Sequence, residues 1–124
     1  MKKYRVVLID DDVSIQKLVK YVLGDENFEL MILADAFSIT EKLKYLPDII
    51  LMDIKLYKIS GIDALVKIRS DKRLKNVPII AFTAYAMKGD KDSFIKMGFD
   101  GYISKPIDTR EFSRQIRYYI KNNT

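Results

Sequence analysis

The chain has 124 residues, 48% hydrophobic and 31% charged with only five Gly and three Pro, which is the make-up of one soluble globular domain over residues 1–124 with one core. Cys and His are both absent, which excludes disulfides, thiolate and imidazole metal sites and cysteine nucleophiles, so any chemistry must rest on carboxylates, Lys and hydroxyls. Net charge is +5, but the 22 basic residues are scattered, and no apolar run approaches the roughly 20 residues that cross a bilayer. A cytoplasmic protein without membrane attachment is the expectation.

Five short apolar runs alternate with segments of helical spacing. Strands are predicted at Val6–Ile9, Leu30–Ala34, Ile49–Met52, Ile79–Phe82 and Tyr102–Ile103. Uninterrupted runs without period-2 alternation suit a parallel sheet covered by helices on both faces. The first helix is read from Ile15, Leu18, Val19, Val22 and Leu23, with Asp12 as its cap and Gly24 as its stop. Further helices are predicted at Ser38–Tyr45, Ile62–Arg69 and Asp90–Met97. The last carries the stripe Phe112, Ile116, Tyr119 and Ile120 behind a capping box running from Asp108 to Glu111. Pro47 and Pro78 mark the loop-to-strand junctions.

In an open α/β sheet, ligands sit beyond the carboxyl ends of the strands. At those ends stand Asp10-Asp11-Asp12, Asp53, Thr83-Ala84 and Ser104-Lys105-Pro106. An Asp after one strand is commonly a cap or turn residue, but local capping does not account for polar groups after four strands. Clustered carboxylates repel unless a cation shares the site, and an all-oxygen donor set favours a hard ion such as Mg²⁺. An aspartate beside such an ion, with an ammonium and a hydroxyl at hand, can accept a phosphoryl group.

These stretches, Val6-Val7-Leu8-Ile9-Asp10-Asp11, Ile50-Leu51-Met52-Asp53, Gly61, Phe82-Thr83-Ala84 and Tyr102-Ile103-Ser104-Lys105-Pro106, resemble the receiver domains of two-component response regulators over essentially the whole chain. The segment Ala86–Asp90 is most similar to stand-alone receivers of the cell-division or development type. The resemblance implies a (βα)5 flavodoxin-like fold with strand order 2-1-3-4-5. It implies phosphorylation of Asp53, and Mg²⁺ held by Asp10, Asp11, Asp53 and the backbone carbonyl of Lys55. Thr83, the backbone N–H of Ala84 and Lys105 would contact the phosphoryl oxygens, with a cis peptide between Lys105 and Pro106 and Thr83 and Tyr102 as switch residues. The implied phosphodonor is a histidine kinase or histidine phosphotransfer protein. A downstream protein would dock on the fourth helix, fifth strand and fifth helix of a monomer or phosphorylation-dependent dimer. Such a protein is not an enzyme beyond self-catalysed phosphoryl transfer and slow autodephosphorylation.

Tyr57 stands where receivers commonly carry Pro, and Lys55 and Tyr85 flank the site, where each would alter phosphoryl lifetime. On the last helix Arg110, Arg114, Arg117 and Lys121 share one side, which reads as a solvated face or as a contact for an acidic protein rather than for nucleic acid. Two alternatives are a receiver piece of a longer hybrid histidine kinase and a haloacid-dehalogenase-like phosphatase. The latter needs a second Asp two residues after the nucleophile, where this chain has Lys55.

Overall fold

A computed structural model of the chain describes residues 3–24, 27–35, 39–54, 60–84 and 90–122. In chain order the elements are β1 (Tyr4–Ile9), α1 (Val13–Gly24), β2 (Phe28–Leu33), α2 (Ile39–Lys42), β3 (Ile49–Asp53) and α3 (Ser60–Ser70). There follow a 3₁₀ turn (Lys72–Leu74), β4 (Ile79–Thr83), α4 (Asp90–Met97), β5 (Gly101–Ser104) and α5 (Phe112–Lys121). The strands form one parallel sheet in the order β2-β1-β3-β4-β5. The reversal of order between β1 and β3 places a crevice at their carboxyl ends.

The apolar runs lack alternation because both faces of every central strand are covered. Val6 and Leu8 of β1, with Ile49, Leu51, Ile80 and Phe82, pack against Val19 and Leu23 of α1 and Phe112 and Ile116 of α5. Val7 and Ile9, with Ile50, Met52, Ile79 and Ala81, face the other way onto Ala64, Leu65 and Ile68 of α3 and Phe94 of α4. The single core expected from chain length is thus two clusters separated by the sheet.

Several strand boundaries differ from the apolar runs by one or two residues. β2 starts at Phe28, two residues before the predicted Leu30, because exposed Glu29 stands opposite Arg5 and pairs with it at 3.2 Å. The second helix is shorter than the predicted Ser38–Tyr45. It ends at Lys42, with Tyr45 and Leu46 exposed and Pro47 disfavouring helical backbone before it, while Ser38 lies outside the described residues. Asp12 caps α1 as predicted, accepting from the Ser14 N–H at 2.9 Å. The capping box at α5 is only half realised. Asp108 accepts from the Arg110 N–H at 2.9 Å, but Glu111 turns to Arg114 at 3.3 Å, and α5 begins one turn later at Phe112.

Two devices hold the lower part of β4 and β5. Gly98, at φ 114°, ends α4 in a conformation that L side chains rarely adopt, with the Phe99 N–H returning to the Phe94 carbonyl at 3.0 Å. Arg69 of α3 reaches the Val77 carbonyl at 2.8 Å and pairs with Asp100, whose carboxylate also accepts from the Ile79 N–H at 2.8 Å. On the α1/α5 side the keystone is Phe112, fully buried and stacked on Phe82 with centroids 5.9 Å apart. Phe112→Ala is expected to destabilise the protein by about 3–5 kcal/mol, measured as a lower urea midpoint at unchanged slope.

Candidate functional site

A parallel sheet delivers the carboxyl ends of its strands to one edge, and the residues there are those that the sequence singles out. Asp10 follows β1 and is buried; Asp11 beside it is exposed. Asp53 closes β3, with its side chain 12% exposed. Thr83 closes β4 and is completely buried, and Ala84 after it is exposed. Lys105 follows β5, continuing its ladder with an N–H bond to the Thr83 carbonyl at 2.8 Å. The Lys105–Pro106 peptide bond is cis.

One side chain ties these strand ends together. Lys105 Nζ donates to Asp10 Oδ2 at 2.8 Å and to Asp53 Oδ1 at 2.9 Å, so three strands meet at one ammonium. Its stem crosses the site with the Nζ 4.8 Å from the centroid of the Phe82 ring. Burial favours the neutral amine, but hydrogen bonds to Asp10 and Asp53, reinforced by their charges, outweigh it and hold the Lys105 pKa above its ordinary value. The ammonium is therefore fully charged at neutral pH.

Carboxylate oxygens of Asp10, Asp11 and Asp53 lie within 4.8 Å of one another. Among the described residues, three carboxylates gather around the Lys105 ammonium, and the donor set is all oxygen. Those residues fit a hard divalent ion such as Mg²⁺, and they fit Zn²⁺ or Cu²⁺ poorly, since sites for those ions are usually built with N or S ligands. Both oxygens of Asp10 already accept hydrogen bonds, Oδ2 from Lys105 and Oδ1 from the Asp12 N–H at 2.9 Å.

Tyr102 stands on β5, half-buried, with its ring against Phe94 of α4 at 6.1 Å between centroids. It is therefore packed between strand and helix rather than spread on the surface. Lys55, Tyr57, Tyr85 and residues 86–89 lie outside the described residues. Two contributors are invisible in the sequence. Gln16 donates from Nε2 to the Asp10 carbonyl at 2.6 Å, fixing the turn between β1 and α1. Tyr119 bonds to the backbone of Tyr102. Gln16 carried no signal because a polar residue between apolar helix positions reads as solvent-facing, and Tyr119 read only as core.

The electrostatics generate a measurable expectation. Lys105→Met removes the cation while Asp10 stays buried, which is expected to cost about 3–5 kcal/mol in urea unfolding without divalent ions. Added Mg²⁺ should then raise the midpoint more in Lys105→Met than in wild type, since the ion no longer competes with the Lys105 ammonium for the carboxylates.

Known proteins resemble this chain in sequence and in fold. The family model for the response regulator receiver domain matches residues 6–117. The polar-differentiation response regulator DivK of Brucella ovis is 32% identical, the match covering 93% of this chain and 94% of that protein. Hybrid signal transduction histidine kinase I of Dictyostelium discoideum is 35% identical over 96% of this chain, which spans only 8% of the kinase. The receiver domain of sensor histidine kinase PA1611 from Pseudomonas aeruginosa superposes with TM-score 0.81 at 27% identity, covering 97% of this chain and 99% of that one, and holds magnesium in its active-site cleft. Chemotaxis response regulator CheY4 of Vibrio cholerae, 22% identical, shares the fold with TM-score 0.82, covering 95% and 99%. On the match over residues 6–117 and the agreement of fold, the chain belongs to the response-regulator receiver family of two-component signalling.

Proposed function

We propose that Asp53 is the phosphoryl acceptor of a Mg²⁺-dependent switch, residues 1–124 acting as one receiver domain. The reading is carried by one observation: Lys105 bridges Asp10 and Asp53 inside a cluster of three carboxylates at the strand ends.

In the proposed reaction an Asp53 carboxylate oxygen attacks the phosphorus of a phosphohistidine on a histidine kinase or histidine phosphotransfer protein. The new O–P bond gives an acyl phosphate. The P–N bond breaks, and its electron pair leaves with the imidazole, which takes a proton from solvent. This chain has no His, so the donor is another molecule. Lys105, already 2.9 Å from Asp53, follows the negative charge onto the phosphoryl oxygens, while the Thr83 hydroxyl and the Ala84 N–H donate to the others. Asp10, Asp11, Asp53 and the Lys55 carbonyl would hold Mg²⁺, Asp10 through water because both its oxygens are engaged. Bound there, the ion supplies neutralisation of charge on the transferring group.

A phosphoryl group adds about −1.5 to −2 charge, which draws Thr83 inward and lets Tyr102 repack. The surface built from α4, β5 and α5 then changes for a downstream protein, in the cytoplasm, by a monomer or a phosphorylation-dependent dimer. Among the described residues, no helix is long and apolar enough to cross a membrane. A second reading, a receiver piece of a longer hybrid histidine kinase, is favoured by the similarity to the Dictyostelium kinase. A phosphatase of the haloacid-dehalogenase type is disfavoured by Lys55 in place of its second Asp. Self-catalysed transfer and slow autodephosphorylation are the only chemistry proposed.

Incubation with Mg²⁺ and acetyl phosphate, followed by intact mass, should add one phosphoryl group to wild type and none to Asp53→Asn. Wild type left unmodified by several small phosphodonors would remove the proposal, and multiple turnover of a phosphomonoester would favour the phosphatase. Lys55→Ala and Tyr85→Ala should each change the acyl-phosphate half-life; two unchanged half-lives would discard their role in lifetime.

A further inference from the structure

β5 is one of the two edge strands of the sheet, and the outer side of an edge strand ordinarily leaves backbone groups to solvent or to another chain. Here one side chain occupies that side. The Tyr119 hydroxyl donates to the Tyr102 carbonyl at 3.0 Å and accepts from the Tyr102 N–H at 3.3 Å, so both backbone groups of one residue meet a single phenol from α5. Burial favours the protonated phenol and raises its pKa above the ordinary 10.0, so the donor proton is retained at neutral pH.

The ring reaches this position only because residue 101 is Gly. A Cβ on Gly101 would stand 2.3 Å from the Tyr119 Cε1 and 2.6 Å from its Cζ, far inside van der Waals contact. The phenol, the glycine and the strand backbone therefore form one interlocked joint. Tyr102 lies at its centre, with its ring on Phe94 of α4 and its backbone on Tyr119 of α5. Beyond the joint, Tyr118 meets the Tyr119 ring edge-on at 5.3 Å and is 58% exposed.

We propose that Tyr119 is a positioning residue that clamps the Tyr102 backbone to α5 through Gly101, so that any repacking of Tyr102 is relayed to α5 and to exposed Tyr118. The relay rests on the reading of Tyr102 as a switch; the clamp does not. Without the clamp, Tyr102 would communicate with α4 alone.

The two parts are separated by NMR on the full chain, with beryllofluoride and Mg²⁺ as the mimic of phosphorylated Asp53. In the untreated protein, Tyr119→Phe keeps the ring and loses the hydroxyl, and the Tyr102 amide should exchange about threefold to tenfold faster than in wild type. An unchanged exchange rate overturns the clamp. Gly101→Ala should reproduce the faster exchange although the hydroxyl is still present, and adding Tyr119→Ala to Gly101→Ala should cost less than the sum of the two single changes. Additive losses would show that no interlock exists. On loading beryllofluoride, wild type should shift resonances at Tyr102, in α4 and over Tyr118–Lys121, whereas Tyr119→Phe should keep the α4 shifts and lose most of those in α5. Equal α5 shifts in both proteins overturn the relay. A wild type that shows no shift at Tyr102 removes both the relay and the switch reading, while the exchange experiment still decides the clamp.

Discussion

The Lys105 ammonium makes an otherwise repulsive edge of this sheet tolerable. Parallel pairing brings Asp10 and Asp53 side by side at the ends of β1 and β3, with Asp11 close enough for the three to share one ion. Asp10 is buried, where a carboxylate without a partner would be costly. Lys105 comes from β5, two strands away from β3, and its reach depends on β5 holding its register against β4 through the Lys105 N–H bond to Thr83. Among the described residues, the approach of Asp10, Asp53 and Lys105 is therefore set by the sheet.

That dependence links the site to features far from the carboxylates. Register of β5 is secured at one end by Asp100, which binds the Ile79 N–H and pairs with Arg69, and on its open edge by Tyr119. Tyr102 lies between Asp100 and Lys105, on the four-residue strand that Lys105 follows. Tyr102 touches two helices, its ring against Phe94 of α4 and its backbone against Tyr119 of α5. Helices on either face of the sheet rest on the same strands.

Much of this was legible in the residues. The five apolar runs and their lack of alternation called for a doubly covered parallel sheet, and polar residues at the ends of four strands marked the crevice. The edges were less legible. Glu29 concealed the start of β2, because an exposed charge breaks an apolar run while pairing across strands with Arg5. The second helix was overextended, because apolar residues at Leu43, Tyr45 and Leu46 continue a helical pattern that Pro47 and exposure do not sustain.

By itself the sequence determined the βα architecture and the identity of the acidic cluster, because these follow from local periodicity and from residue types at strand ends, while the family and the strand order came from the resemblance of its motif stretches to receiver domains. Tertiary structure alone decided which groups touch. That Lys105 bridges Asp10 and Asp53, that Gln16 holds the Asp10 carbonyl, and that Tyr119 lies over Gly101 to bind Tyr102 are contacts between residues 6 to 95 positions apart. No spacing rule reports such pairs. They arise where strands of fixed register bring distant positions within hydrogen-bond range, and only the folded sheet sets that distance.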